Sequence, residues 1–123
     1  MKKIMLVDDE ATLRSAVRMV LESEGYLVLD AVSADDCWEK IQQEKPDLIL
    51  LDIRMPGMRA VDLIRKIKED KKLRSIKIVY MTVIAGTKKI SRKLEGVVGA
   101  IEKPFRNEEL LAVVKDALSH IVI

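Results

Sequence analysis

Short, unbroken apolar runs punctuate the chain: Ile4-Met5-Leu6-Val7, Leu48-Ile49-Leu50-Leu51 and Ile78-Val79-Tyr80-Met81. Runs of this length without polar alternation predict strands covered on both faces. Between them, apolar residues recur every three or four positions, which is the period of a helix packed on one side. Strands alternating with helices predict βα units and a mainly parallel sheet, five of each element.

The first helix is expected over about residues 11 to 24, with Leu13, Ala16, Val17, Val20 and Leu21 on one stripe and Gly25 as its C-terminal cap. A second strand follows from Tyr26 to Ala31. Ser33 is placed to cap the second helix, with Asp36 completing a box-like signature and Ala34, Cys37, Trp38 and Ile41 facing inward. Lys45-Pro46 ends that helix, and Met55-Pro56-Gly57 marks a turn before a third helix carrying Ala60, Leu63, Ile64 and Ile67. The fourth strand is expected from Ile76 to Thr82. The fourth helix, between Gly86 and Gly96, is the weakest pattern, with only Ile90 and Leu94 as core residues among Lys88, Lys89, Arg92 and Lys93. Asn107 is expected to cap the fifth, where Glu108 and Glu109 complement the helix dipole and Leu110, Leu111, Val114, Ala117 and Leu118 pack inward.

Polar residues sit where the strands end: Asp8 and Asp9 after the first, Asp52 after the third, Thr82 after the fourth and Lys103 after the fifth. In an open parallel sheet those ends share one rim, the usual place for a ligand. Clustered carboxylates repel one another unless a cation sits among them. Mg²⁺ fits, because it takes oxygen ligands, needs only one or two carboxylates and keeps positions open for phosphate oxygens. A carboxylate beside such a cation can attack a phosphoryl group and form an acyl phosphate, with Lys103 offsetting charge on the equatorial oxygens. Thr82 can donate its hydroxyl to the product and pass the charge change to the next loop. Lys103-Pro104 predicts a rigid corner, with a cis peptide in view. Taken singly, each residue has a plainer reading: aspartates cap helices, threonine favours strands and lysine is a surface residue. The set on one rim argues for function.

At 123 residues the chain is expected to be one domain, 1–123. Its 22 basic and 20 acidic residues leave a net charge of +2, which supplies no general field for nucleic acid. The single cysteine excludes an intramolecular disulfide and points to a reducing, cytoplasmic setting. Met1-Lys2-Lys3 opens like an export signal, but the apolar run stops at Asp8 and Asp9, and no transmembrane span is predicted.

Val7-Asp8-Asp9-Glu10, Leu51-Asp52-Ile53-Arg54-Met55-Pro56-Gly57, Met81-Thr82 and Glu102-Lys103-Pro104-Phe105 together resemble the response regulator receiver domain of two-component signalling, over essentially the whole chain. The resemblance implies a doubly wound α/β fold, flavodoxin-like, with a five-stranded parallel sheet of order 2-1-3-4-5. It implies Asp52 as phosphoacceptor, Asp9 and Asp52 as Mg²⁺ ligands with the Arg54 carbonyl, Asp8 as an acid orienting water on the metal, Lys103 as partner of the phosphoryl group and Thr82 as switch hydroxyl. The implied donor is a phosphohistidine on a sensor histidine kinase or phosphotransfer protein, and small phosphodonors also serve the family. The implied output surface is the fourth helix, fifth strand and fifth helix, offered to a downstream protein, in the manner of a freestanding chemotaxis-type receiver or of one excised from a longer regulator. An apolar end at Ile121-Val122-Ile123 suits a complete chain or a helix that continues.

Two residues depart from the family pattern. Ala100 stands where an aromatic or histidine usually changes rotamer with the threonine, and Val83 replaces a small residue after Thr82, where its branched side chain is expected to narrow access to Asp52. Arg54 and Ile84, each two residues beyond a strand-end group, are expected to flank the phosphoryl group and set its lifetime. The competing readings are a haloacid dehalogenase-like phosphatase, whose motif Asp8-Asp9-Glu10-Ala11-Thr12 matches only loosely, and a phosphate-independent receiver-like binding module.

Overall fold

The computed structural model describes residues 1–83 and 96–120. In chain order these form β1 (Lys3–Val7), α1 (Ala11–Ser23), β2 (Leu27–Ala31), α2 (Ala34–Gln43), β3 (Leu48–Asp52), α3 (Ala60–Glu69), β4 (Lys77–Thr82), β5 (Val97–Glu102) and α4 (Asn107–Ser119). All pairings are parallel, and the five strands lie in the order β2-β1-β3-β4-β5. This is the doubly wound sheet expected from the sequence. Ile84 and the core residues of the expected fourth helix, Ile90 and Leu94, lie outside the described residues, so the last described helix is α4.

The pleat divides the core into two layers. Met5, Val7, Ile49, Leu51, Ile78 and Tyr80 pack under α2 and α3, which contribute Cys37, Ile41, Leu63 and Ile67. Ile4, Leu6, Leu48, Leu50, Val79 and Met81 pack on the other face with Val17 and Leu21 of α1 and Leu110 and Val114 of α4. Covering both faces explains why the central strands carry apolar residues on both sides. Cys37 is a buried free thiol, and burial pushes its pKa up to about 12, so it is an inert core group.

The helix ends show how local chemistry places these layers. Gly25, with φ +88°, closes α1 in a Schellman turn: its N–H donates to Glu22 O at 3.0 Å, and the Tyr26 N–H donates to Leu21 O at 3.2 Å. Ser33 caps α2 by accepting from the Asp36 N–H at 3.0 Å, but Asp36 Oδ2 accepts from the Val32 N–H rather than from Ser33, so the expected box is only half formed. Two further expectations are corrected. Ala16, placed on the stripe of α1, is exposed, because the buried face is narrower and centres on Val17 and Leu21. Asn107 is the first helical residue rather than the cap. Arg106 takes the cap position, and its N–H donates to Glu109 Oε1 at 3.4 Å.

Candidate functional site

Side-chain parity at the strand ends builds the site. Asp8 continues the alternation of Ile4 and Leu6, Asp52 that of Leu48 and Leu50, and Lys103 that of Ile101, all on the layer shared with α1 and α4. The three therefore converge. Lys103 Nζ donates to Asp8 Oδ2 at 2.5 Å and to Asp52 Oδ2 at 3.2 Å, bridging carboxylates from two adjacent strands. Thr82 ends β4 fully buried, and its carbonyl accepts from the Lys103 N–H at 2.7 Å, which ties the two strand ends together. A cis peptide joins Lys103 to Pro104, as expected.

The remaining carboxylate oxygens are also directed. Asp8 Oδ1 accepts from the Glu10 N–H at 2.9 Å and Asp52 Oδ1 from the Arg54 N–H at 3.0 Å, the same two-residue turn after two different strands. This removes the plainer reading of these aspartates. Helix α1 has Glu10 at its N-cap with no side-chain cap bond, and α3 is preceded by Arg59, so neither Asp8 nor Asp52 caps a helix.

Electrostatically the site is short of positive charge. Asp8 and Asp52 are buried and Asp9 is exposed, and one oxygen from each lies within 4.8 Å of the others. Three carboxylates face one ammonium. Burial pushes the Asp52 pKa up, against the Arg54 amide and Lys103, which lower it, while Asp8 adds to the rise. Burial also acts against the Lys103 ammonium, but its hydrogen bond to Asp8 and the charges of Asp52 and Asp8 outweigh that effect and hold its pKa up. A hard divalent cation suits this all-oxygen, net-negative donor set.

The raised Asp52 value has a consequence for stability. A folded-state pKa above the unfolded one stabilises the fold while pH is below the ordinary carboxylate range, and that contribution is lost as pH rises through the raised value. Ionised Asp52 therefore costs stability at neutral pH. Asp52→Asn is expected to show a higher urea midpoint than the parent at neutral pH without added metal, with the gap closing in acid. A gap of the same size at both pH values would contradict this.

The sequence expectations thus meet at one rim for Asp8, Asp9, Asp52, Thr82 and Lys103. Arg54 is exposed, and its amide rather than its side chain contacts Asp52. Val83 is 59% exposed, and Ala100 is buried in β5. Sequence reasoning missed Arg14, whose Nη1 donates to the Asp8 carbonyl at 2.6 Å. The available signal was an arginine between the inward residues Leu13 and Val17, one turn beyond the aspartate pair.

Comparison with known proteins agrees with this fold. Residues 4–115 match the response regulator receiver domain. The chain is 38% identical over 121 residues to the phosphate regulon transcriptional regulatory protein PhoB of Pseudomonas aeruginosa, covering 95% of this chain and 52% of that protein. It is 32% identical to protein PilH of the same organism, covering 97% of this chain and 99% of PilH. The fold is similar to that of the chemotaxis response regulator CheY4 of Vibrio cholerae, with a TM-score of 0.87 and 26% identity over 95% of this chain and 98% of that one. The chain belongs to the response regulator receiver family. It spans about half the length of its PhoB relatives and nearly all of PilH.

Proposed function

We propose that residues 1–123 act as one receiver domain that takes a phosphoryl group from a phosphohistidine onto Asp52 and thereby changes the surface it offers a partner. The observation that carries this reading is the Lys103 ammonium bridging Asp8 and Asp52 across neighbouring strand ends. An Asp52 carboxylate oxygen forms the new bond to phosphorus as the bond from phosphorus to the donor imidazole nitrogen breaks, and the imidazole leaves. Lys103 stands 3.2 Å from Asp52 Oδ2, where it stabilises charge on the oxygens of the group being transferred. The Arg54 amide, on Asp52 Oδ1, keeps the carboxylate oriented.

Asp9, Asp52 and the Arg54 carbonyl are the groups proposed to hold Mg²⁺, with Asp8 behind them. When bound, the ion supplies positive charge to the phosphoryl oxygens. Thr82, linked to Lys103 through its carbonyl, is the proposed switch hydroxyl. With Ala100 in place of a rotating aromatic, the response passes through backbone movement of β4 and β5. The face of β5 and α4 is proposed to meet the downstream protein. It carries a cleft of about 430 Å³ whose lining includes Ala100, Ile101, Pro104 and Val113 together with Glu102 and Glu109. No helix among the described residues is long and apolar enough to cross a membrane.

Intact mass after incubation with a small acyl phosphate and Mg²⁺ tests the reading. One added phosphoryl group is expected, absent when the metal is chelated and absent in Asp52→Asn. Labelling that survives Asp52→Asn but is lost in Asp8→Asn would overturn the assignment.

A further inference from the structure

Arg14 lies one turn into α1 and reaches back to the strand end before it. Its Nη1 donates to the Asp8 carbonyl at 2.6 Å, and its Nε lies 3.7 Å from Asp30 Oδ2 on the edge strand β2. The side chain is only 17% exposed, and Asp30 is held in turn by Arg18 Nη2 at 3.4 Å. The guanidinium thus braces a strand end against the neighbouring strand.

The Asp8 carbonyl and the Asp9 amide nitrogen share one rigid peptide plane. A bond that orients the carbonyl also sets the direction in which Asp9 leaves the strand. That matters because the Asp9 carboxylate is exposed, and among the described residues no hydrogen bond or ion pair orients it. Asp8 and Asp52 have partners for their side chains, whereas Asp9 depends on its backbone. The charge of Arg14 is met by Asp30 and does not itself favour a cation at the site, since a guanidinium beside a bound cation repels it.

We infer that Arg14 is a positioning residue for Mg²⁺, holding the Asp8–Asp9 peptide through the Asp8 carbonyl, braced by Asp30, so that the Asp9 carboxylate is presented to the metal beside Asp52. The inference rests on the proposed phosphoacceptor function and adds to it a residue that touches neither metal nor phosphoryl group.

Calorimetric titration with Mg²⁺ tests it on the parent, Arg14→Ala, Arg14→Lys and Asp30→Asn, each also unfolded in urea. Arg14→Ala is expected to weaken Mg²⁺ binding by about tenfold, the usual scale for losing a group that orients a ligand. Arg14→Lys recovers part of the loss, because an ammonium can still donate to the carbonyl but cannot also span to Asp30, and Asp30→Asn falls between parent and Arg14→Ala. Tighter binding in Arg14→Ala would show that only charge is at work and would overturn the inference. So would a lowered urea midpoint with unchanged affinity of the folded protein, which is the mark of a packing role. If Arg14→Ala does not fold, Arg14→Lys decides: weaker binding supports the inference and parental affinity overturns it. A parent that binds no Mg²⁺ overturns the metal-dependent function itself, and the inference with it, and is recognised because the parent fails before any variant is compared.

Discussion

Lys103→Met is expected to slow phosphorylation of Asp52 by about a hundredfold, the scale seen when one donor to a developing oxyanion is removed. The same change is expected to lower stability by about 3 kcal/mol, because truncating one partner leaves a buried charge uncompensated. Asp8 has no exposed surface, and without Lys103 its Oδ2 loses the 2.5 Å bond that satisfies it, leaving only the Glu10 amide on Oδ1. The raised Lys103 pKa gives the sign with pH: the ammonium's contribution is complete below the ordinary lysine value and is lost only as pH climbs through the raised one. The destabilisation is thus present in full across the neutral range. Methionine keeps most of the apolar stem, so the loss reports the charge. Removing an ammonium that competes for the same carboxylates should at the same time tighten Mg²⁺ binding. A slower rate with tighter metal binding is a combination that general damage to the fold does not produce. Timed intact-mass measurement and urea unfolding read both effects, and a parental rate would contradict the role given to Lys103.

Leu50→Ala is expected to cost about 3 kcal/mol, the middle of the range for emptying a buried leucine site. Leu50 lies in the central strand, in register with Leu6 on one side and Val79 on the other, and is fully buried between the sheet and the layer formed by α1 and α4. Strands on both sides limit how far the gap can close. Against a typical domain stability of about 5–15 kcal/mol this is a large fraction. Met19→Ala, at a position 72% exposed on α1, is expected to stay within about 0.5 kcal/mol and serves as the control. Equal urea midpoints for the two variants would contradict the layer assignment.

Much of this was legible because parallel-sheet physics writes itself plainly. Strands covered on both faces must be aliphatic at every position, so Ile4–Val7 and Leu48–Leu51 stand out, and the first polar residue after each marks the rim. Alternation along the strands then accounts for the meeting of Asp8, Asp52 and Lys103. What the pattern does not encode is reach. Arg14 looks like one more charged residue of an amphipathic helix until the fold brings the Asp8 carbonyl within 2.6 Å of its guanidinium. Helix caps blur for a related reason. Arg106 takes the cap position through its backbone amide, which any residue but proline could supply, so the more suggestive Asn107 misleads by one position. The periodicity of α1 likewise allows a stripe wide enough for Ala16, whereas in the fold Val17 and Leu21 are buried, Leu13 and Val20 pack beside them and Ala16 is exposed.

The most direct test of the account is to locate the acyl phosphate. The chain is incubated with Mg²⁺ and a small acyl phosphate, treated with borohydride to convert a phosphorylated aspartate to homoserine, and read by peptide sequencing. The account predicts homoserine at position 52, dependent on Mg²⁺ and strongly reduced in Lys103→Met. Homoserine at position 8 or 9, or a phosphoryl group retained on any other residue type, would contradict it.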